Sequence, residues 1–367
     1  MRVAERPLSV MMVTARYVPE RGGTEIHTHE VAQRLWASGV DVTVVSTVLA
    51  QRFPRVELDG RVRVVRVHGW PPGRDYYLAP GLVREIRGDV IDLVHCQGYH
   101  TFVAPVVMLA ALSAGIPYVV TFHSGGHSSA LRRALRRPQA WLLRPLLKRA
   151  RALIAVSRFE ADHFSRRLRM PRSAFTVIPS GVQLPDAHAA PPALEQPLIL
   201  CVGRVESYKG HQRVIEALPA LARARPGIRL RVAGSGPYEP QLQRLASDLG
   251  VADIVEIGPV SVDRRDKLSE LLQRAAVVAT LSEYESQGLA VQEALALGRP
   301  LVVSDNSALG ELRGHPNVRA LPQQADASEV AAAILELLDA LPVDPPVLPT
   351  WDDCAAAVLR VYEKALR

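Results

Sequence analysis

The sequence predicts an α/β protein built from two doubly wound domains. Short runs of β-branched and aliphatic residues alternate with longer helical patterns along almost the whole chain, which is typical of βαβ units and parallel sheets. The length of 367 residues is enough for about two domains with separate cores. Weak periodicity and four prolines at 182–197, between the two sets of strands, predict a linker there.

The predicted strands fall into two groups, with residues 1–185 as the first domain and 195–348 as the second. A helical pattern at 351–367 follows proline-rich residues and is interpreted as a helix that crosses back to the first domain. The strands expected in the first domain are 8–13, 41–46, 63–67, 93–95, 118–122, 153–156 and 175–178. Those expected in the second domain are 197–202, 229–233, 254–257, 277–280 and 300–303.

Composition argues against several classes of protein. An apolar fraction of 48% and a charged fraction of 22% are ordinary for a globular protein. The three cysteines lie far apart, so neither a disulfide framework nor a zinc cluster is predicted, and the cytoplasm is the expected location. Residues 1–13 are too short and wrongly flanked for a secretion signal. Residues 102–122 carry no charge, but Pro105, Gly115 and Pro117 favour a helix followed by a strand over a membrane span.

Glycine and histidine residues stand where two predicted strands of the first domain end. Gly22 and Gly23 lie between the first strand and a helix, where backbone N–H groups can approach an anion closely. Their spacing differs from the G-x-G-x-x-G dinucleotide fingerprint, which weakens a dehydrogenase interpretation. His123 follows the strand at 118–122 and is well placed to donate to a substrate oxygen, although a structural role is the plain alternative.

The second domain opens with two cations near the end of its first strand. Gly203 and Arg204 follow this strand and Lys209 precedes the next helix, so the two cations could neutralise a diphosphate leaving group. Gly234 begins another tight turn from a strand to a helix. The chain contains no Asp-x-Asp element, which agrees with a site that needs no metal ion, and no metal is predicted.

Two glutamates flank the start of a predicted helix in the second domain. Glu285 lies in the loop, Gly288 at the junction and Glu293 on the helix. The backbone N–H groups of a first helical turn suit a phosphate, and ionised carboxylates accept hydrogen bonds from sugar or ribose hydroxyls. Together they predict a nucleotide-sugar site, whereas the simpler interpretation is a helix-end charge and a solvated side chain. The residues expected on the buried side of the helix are Leu289, Ala290, Ala294, Leu295, Ala296 and Leu297.

The order of these motifs resembles that of the retaining GT-B glycosyltransferases of family 4, the glycosyl transferases group 1. The motifs that carry the resemblance are Gly22-Gly23, Thr121-Phe122-His123, Gly203-Arg204, Lys209-Gly210, Gly234-Ser235-Gly236-Pro237, Glu285 and Glu293. They span nearly the full chain. The resemblance implies two Rossmann-like domains facing a central cleft, the first for the acceptor and the second for the nucleotide-sugar donor. It also implies a retaining hexosyltransferase that uses no cofactor and no metal ion.

The resemblance also implies a role for each matching residue. Glu293 would bind the ribose of the donor, and Glu285 would bind the hydroxyls of its sugar. The residues expected to hold the diphosphate are Arg204, Lys209 and the backbone N–H groups of Gln287, Gly288 and Leu289. The residues expected to contribute to catalysis are His123, Glu285, Arg204 and Lys209. The remaining donor-site positions are Gly22, Gly23, Gly203, Gly234 and, near the base, Val260.

Three departures from the family pattern bear on the donor. Ser286 and Gln287 stand where glycine and an aromatic residue are usual, Leu281 replaces a frequent proline, and Ser180 replaces a frequent asparagine. The diphosphate contacts in this loop involve the backbone and are expected to persist. The sugar and the base of the donor, UDP or GDP, therefore stay open.

A basic stretch lies at 131–172 in the first domain. It contains thirteen basic and two acidic residues, interleaved with leucines. This pattern is typical of a segment that lies on an anionic membrane, and a solvated helix face is the alternative. An aromatic content of 5% and the lack of a binding motif argue against nucleic acid. The residues expected to touch a membrane are Arg132, Arg133, Arg136, Arg137 and Trp141.

The predicted function is transfer of a sugar from a UDP- or GDP-linked donor to a hydroxyl acceptor. With the basic stretch on the inner face of the cell membrane, the acceptor is expected to be lipid-linked or an envelope glycan precursor. A soluble small molecule is the competing acceptor. Two other classes share the architecture: a sugar-nucleotide epimerase, which the glutamate pair fits less well, and a catalytically silent binding protein.

Overall fold

The fold is taken from a computed structural model of the chain. It describes residues 6–20, 22–48, 53–71, 77–99, 101–124, 130–182, 196–260, 265–341 and 343–367. The surroundings of the side chains at 130–137 and 265–266 lie outside this description. Most of the predicted linker, at 183–195, also lies outside the described residues.

The chain divides into two compact units. The first contains Met1–Ser124, Leu131–Gly181 and Pro349–Arg367, and the second is centred on Val182–Leu348. The strands of the first unit are β1 (Ser9–Thr14), β2 (Asp41–Val48), β3 (Val56–Asp59), β4 (Val62–His68), β5 (Leu93–Gln97), β6 (Tyr118–Phe122), β7 (Ala152–Ala155) and β8 (Phe175–Val177). Its helices before the linker are α1 (Gly23–Ala37), α2 (Gly81–Gly88), α3 (Val103–Ser113), α4 (Ala130–Leu147) and α5 (Arg158–Leu168).

The second unit has the same alternation of strands and helices. Its strands are β9 (Leu198–Val202), β10 (Arg229–Ala233), β11 (Val255–Gly258), β12 (Val277–Thr280), β13 (Leu301–Ser304) and β14 (Val318–Leu321). Its helices are α6 (His211–Ala224), α7 (Glu239–Asp248), α8 (Arg265–Arg274), α9 (Leu289–Ala296) and α10 (Ala327–Leu338). The last helix of the chain, α11 (Trp351–Leu366), belongs to the first unit.

Each unit is built on a largely parallel sheet. The strand order is β3-β4-β2-β1-β5-β6-β7-β8 in the first unit and β11-β10-β9-β12-β13-β14 in the second. In the first order, β3 pairs antiparallel with β4, and the other pairs are parallel. The central strands are buried on both faces, as in β5 and β6, because helices cover both sides of such sheets. The predicted α/β class is therefore confirmed.

Two strands were not predicted from the sequence. β3 lies at an edge of its sheet, and its four residues alternate between exposed and half-buried, so it lacks the apolar run of a buried strand. Asp59-Gly60 links it to β4 and is the turn signal that could have revealed it. β14 has only four residues, and Arg319 interrupts its apolar pattern.

Helix α11 packs within the first unit. Trp351 and Tyr362 are among its largest fully buried side chains. The hydroxyl of Tyr362 lies 2.6 Å from Nδ1 of His95 in β5. At the start of the helix, Thr350 and Asp353 form a capping box that satisfies backbone N–H groups of the first turn. These contacts attach the C-terminal segment to the core of the first unit.

The uncharged segment at 102–122 forms α3 and β6, as the glycine and prolines predict. In the part of the chain that the structure describes, no helix has both the length and the apolar character needed to cross a membrane.

Candidate functional site

The carboxyl ends of four neighbouring strands of the second sheet lie at one edge, in the order β10, β9, β12 and β13. Open α/β sheets bind ligands at this edge. The loops after β9 and β10 touch backbone to backbone, because a Cβ on Gly234 would overlap the carbonyl oxygen of Gly203. The N–H of Val205 also donates to the carbonyl oxygen of Ser235 at 2.9 Å. Glycine at position 234 is therefore required by the close packing of two loops at this edge.

Lys209 and Glu285 form an ion pair between the loops after β9 and β12. Lys209 Nζ lies 2.5 Å from Glu285 Oε1, and the two side chains are only 14% and 16% exposed. The hydroxyl of Ser282, which is fully buried, donates to the same Oε1 at 3.1 Å. Burial, the largest single influence, lowers the pKa of Lys209, but the charge of Glu285, its hydrogen bond and the nearby Tyr208 together raise the pKa above its usual value. The site therefore holds a fixed positive charge beside an oriented carboxylate.

Arg204 adds a second positive charge near this pair. Its Nη2 donates to the hydroxyl of Tyr208 at 3.0 Å, and its Nη1 lies 3.5 Å from Glu206. The guanidinium side chain is nevertheless 65% exposed. Arg204 can therefore present donors to a ligand at the surface while Tyr208, which is buried, limits its movement.

Helix α9 begins directly after the loop that carries Glu285. Its N-cap residue is Gly288, which has φ +80°, a conformation that glycine adopts without strain, and no side chain caps the helix. The N–H groups of the first turn are therefore not taken up by a capping side chain. Gln287 before the cap is buried, and Glu293 on the helix is half-buried. This arrangement supplies backbone donors and a carboxylate on one short element.

The buried side of α9 differs from the prediction. Its buried residues are Val291, Ala294 and Leu295, a spacing of three and four residues that defines one helix face. Leu289 is half-buried, and Leu297 lies beyond the end of the helix, so the expected apolar set was partly wrong. Helix α9 has only eight residues, and its first and last, Leu289 and Ala296, are half-buried.

Val260 lies just beyond β11, at the edge of the second sheet next to β10. It is half-buried and packs against the same apolar cluster as Val291 and Leu309. Residues 261–264, which follow it, lie outside the described residues. Its predicted place near the base stays a prediction.

Two predicted donor-site residues, Gly22 and Gly23, and the predicted catalytic residue His123 lie in the first unit. Gly22 is the N-cap of α1, and His123 follows β6. Within this unit, the ring of His123 lies 4.6 Å from that of His27 in α1, measured between centroids. The Nε2–H of His123 donates to Oε1 of Gln97 at the end of β5, at 2.8 Å. The start of α1 and the end of β6 are thus brought together at one place.

His27 and Gln97 were missed by sequence analysis. His27 also lies 2.9 Å from the hydroxyl of Ser180, measured from its Nδ1. Burial lowers the pKa of His27 to about 4, so its ring is neutral at pH 7. Only the strand order could have revealed Gln97, because β5 lies beside β6 and places Gln97 opposite Thr121.

Glu160 is a buried carboxyl near the end of β6. Its Oε1 accepts hydrogen bonds from the backbone N–H and the hydroxyl of Ser124, at 2.9 and 2.5 Å. Its Oε2 accepts from the N–H of Val156 at 3.0 Å. Burial raises the pKa of Glu160 to about 7, although these hydrogen bonds oppose the shift. Glu160 therefore fixes the backbone immediately after His123.

The basic stretch is divided among three elements. Helix α4, which begins one residue earlier, strand β7 and helix α5 make up most of 131–172. The side chains of Arg132, Arg133, Arg136 and Arg137 lie outside the described residues. Further along α4, Trp141 and Leu142 are 73% and 69% exposed.

No group of three or more histidine, cysteine, aspartate or glutamate side chains that could hold a metal ion occurs within the described ranges. Metal independence stays a prediction.

Comparison with known proteins places the chain in a family. Residues 21–185 match the family described as Glycosyltransferase Family 4, and residues 186–341 match Glycosyl transferases group 1. The chain is 30% identical to the glycogen synthase of Mycobacterium tuberculosis, with 98% of this chain and 95% of that protein covered. It is 31% identical to the D-inositol 3-phosphate glycosyltransferase of Nocardiopsis dassonvillei, over 78% of this chain and 74% of that protein.

A solved structure shares the fold. Anabaena Alr3699/HepE in complex with UDP-glucose matches with a TM-score of 0.72 at 17% identity, covering 98% of each chain. The predicted GT-B fold and glycosyltransferase activity are confirmed by these matches. The chain therefore belongs to the family 4 glycosyltransferases, the glycosyl transferases group 1.

Proposed function

We propose that this glycosyltransferase transfers a hexosyl group from a nucleoside diphosphate sugar to a hydroxyl acceptor, with retention of anomeric configuration and without a metal ion. The observation that carries the proposal is the mostly buried Lys209–Glu285 pair, in loops that also hold Arg204 and lead into α9. It places cations for a diphosphate beside a carboxylate for sugar hydroxyls.

The diphosphate is bound by charge and by backbone donors. Arg204 and Lys209 neutralise its oxygens, and the N–H groups of Gln287, Gly288 and Leu289 donate to them. The raised pKa of Lys209 supports this role, because the amine stays protonated throughout the neutral range. Two fixed cations can stabilise the charge of the leaving group in the way that a bound metal ion otherwise would.

The two glutamates bind the two polyhydroxylated ends of the donor. Glu285 accepts hydrogen bonds from sugar hydroxyls, and its contact with Lys209 ties sugar recognition to phosphate binding. Glu293 accepts hydrogen bonds from the ribose, which suits its half-buried position on α9. Gly203 and Gly234 let the loops after β9 and β10 pack closely beside the donor, and Val260 contacts the base.

The reaction exchanges one bond at the anomeric carbon for another on the same face. The bond from this carbon to the phosphate oxygen breaks, and a bond to the acceptor oxygen forms. The leaving phosphate takes the proton of the acceptor hydroxyl. The protein contributes positioning and electrostatic stabilisation, and His123, oriented by Gln97, contacts the sugar.

The acceptor carries hydroxyl groups, and two classes are supported by different observations. The names of the relatives, a glycogen synthase and an inositol phosphate glycosyltransferase, favour a soluble sugar or polyol. The exposed Trp141 and Leu142, followed by exposed Lys148 and Arg149, favour attachment to an anionic membrane and a lipid-linked acceptor. With the second class, the protein is cytoplasmic and peripheral on the inner face of the cell membrane.

The proposal is tested by turnover with a panel of UDP-, GDP- and ADP-sugars, with release of nucleoside diphosphate as the measurement. Glu293→Gln should lower kcat/KM with the best donor by about tenfold to a hundredfold, because a charge-assisted hydrogen bond is worth about 1.5–3 kcal/mol. The matched control is Glu270→Gln, an exposed glutamate on α8. No release from any donor, with soluble and lipid-linked acceptors present, contradicts transfer, and equal kcat/KM in the two variants contradicts the ribose contact.

A further inference from the structure

A short 3-10 turn after β13 lies against the loop that carries Glu285. The turn spans Ser307–Leu312. Ser307, at its start, has φ +50°, which is one of two positive φ values found at non-glycine residues in the described part of the chain. This backbone conformation disfavours every residue except glycine and, to a smaller extent, asparagine and aspartate. A serine here is therefore held in place by its surroundings.

The hydroxyl of Ser307 is bonded on both sides. Its Oγ accepts a hydrogen bond from the backbone N–H of Glu285 at 3.0 Å. The same hydroxyl donates to Oδ1 of Asn306 at 3.0 Å, which fixes the direction of its acceptor lone pairs. The next residue, Ala308, donates its N–H to the carbonyl oxygen of Glu285 at 3.2 Å. Both polar groups of the Glu285 backbone are thus held by two successive residues of the turn.

The same turn supports the far end of the donor loop. Leu309 is fully buried, and its Cδ2 lies 3.3 Å from the position that a Cβ on Gly288 would occupy. The turn therefore contacts the loop at Glu285 and at the N-cap of α9. Between these two contacts lie Ser286 and Gln287, the residues that depart from the family pattern.

We propose that Ser307 is a positioning residue that sets the sugar specificity of the donor site. It acts by fixing the backbone of Glu285, and the proposal rests on the function argued above, in which the Glu285 carboxylate binds sugar hydroxyls. Glycine would adopt the same φ without strain, but it would leave the Glu285 N–H without this acceptor. Misplacement by about 1 Å is enough to weaken a catalytic or binding geometry strongly. Ser307 therefore holds the Glu285 carboxylate in line with the sugar hydroxyl that it binds.

The test compares Ser307→Gly with the unmodified protein, using the best donor and its monodeoxy analogues. We expect kcat/KM for the parent donor to fall about tenfold, because the hydrogen bond to Glu285 is lost. The ratio of kcat/KM between the parent and its least-used deoxy analogue should shrink by a similar factor. Binding of the nucleoside diphosphate, which has no sugar, should change by less than about threefold.

A double-mutant cycle with Glu285→Gln separates positioning from general stability. If Ser307 acts through Glu285, the effect of Ser307→Gly on the donor ratio should be absent in the Glu285→Gln background. Arg169→Gly is the control for relief of backbone strain, since Arg169 is the other non-glycine residue with a positive φ and is exposed in the first unit. It should leave the donor ratio unchanged.

Two outcomes overturn the inference. An unchanged donor ratio in Ser307→Gly, or additive effects of the two substitutions, would show that Ser307 has only a structural role. Failure of the unmodified protein to bind or turn over any donor would instead contradict the proposed function.

Discussion

At the scale of single residues, the Lys209–Glu285 pair joins two parts of donor recognition. The pair is mostly shielded from solvent, so removal of one partner leaves an uncompensated charge in the site. Because Ser282 also donates to Glu285, the carboxylate keeps one hydrogen bond when a ligand phosphate competes for Lys209. The side chains proposed to bind the sugar and the phosphate, Glu285 and Lys209, therefore depend on each other for their positions.

These side chains could be predicted from the sequence, but the residues that hold them in place could not. Arg204 and Lys209 were predicted because two cations near a strand end can neutralise a diphosphate. Glu285 and Glu293 were predicted because carboxylates beside a helix start can bind hydroxyls, and the family resemblance supported both assignments. Ser307 could not be predicted, because it reaches Glu285 from a different loop, 22 residues away, and a serine gives no sequence signal of a positive φ.

Buried Glu160 makes stability depend on pH. Its folded-state pKa is raised from 4.5 to about 7, so between these values the folded protein keeps a proton that the unfolded chain has lost. The free energy of unfolding therefore falls as pH rises from 4.5 to about 7, by an amount on the order of a few kcal/mol.

Chemical denaturation of the protein and of Glu160→Gln across this pH range measures the effect. As pH rises through this range, the free energy of unfolding of the unmodified protein should fall relative to that of Glu160→Gln. Other titrating groups, including His27, contribute equally to both proteins and cancel. A difference that stays constant with pH would contradict a raised pKa at Glu160.

Among the helices and strands, α4 has the exposed face that could contact a membrane. Ala140, Leu143 and Leu147 are buried, which attaches one face of the helix to the core. The opposite face presents Trp141 and Leu142 to solvent. The sequence predicted the basic and apolar composition of this region and the strand at 153–156 within it, and the structure shows that α4, β7 and α5 divide the region.

Sedimentation with anionic and neutral vesicles tests this face. The double substitution Trp141→Ser and Leu142→Ser should reduce the bound fraction on anionic vesicles, because two apolar side chains no longer enter the interface. The control is Leu58→Ser, an exposed leucine on the edge strand β3. Equal binding to both kinds of vesicle, or no loss in the double variant, would contradict attachment through α4.

At the scale of the whole molecule, two parallel sheets with separate cores were largely predictable. Alternating apolar runs and helical patterns revealed twelve of the strands, because buried parallel strands have a strong apolar signal. The edge strand β3 and the short strand β14 escaped detection because each lacks that signal. The sequence did not show which strands of the second sheet are neighbours. The observed order brings the carboxyl ends of β10, β9, β12 and β13 together.

The proposed donor site requires that the strand ends of the second sheet bind the diphosphate of a nucleotide-sugar. Isothermal titration of the full chain with UDP, GDP and ADP, beside Arg204→Ala and the control Arg244→Ala on the exposed face of α7, tests it most directly. We predict that at least one nucleoside diphosphate binds, and that Arg204→Ala raises its Kd about tenfold or more while Arg244→Ala leaves it unchanged. Binding that is absent for all three nucleotides, or equally strong in the Arg204→Ala variant, would contradict the account.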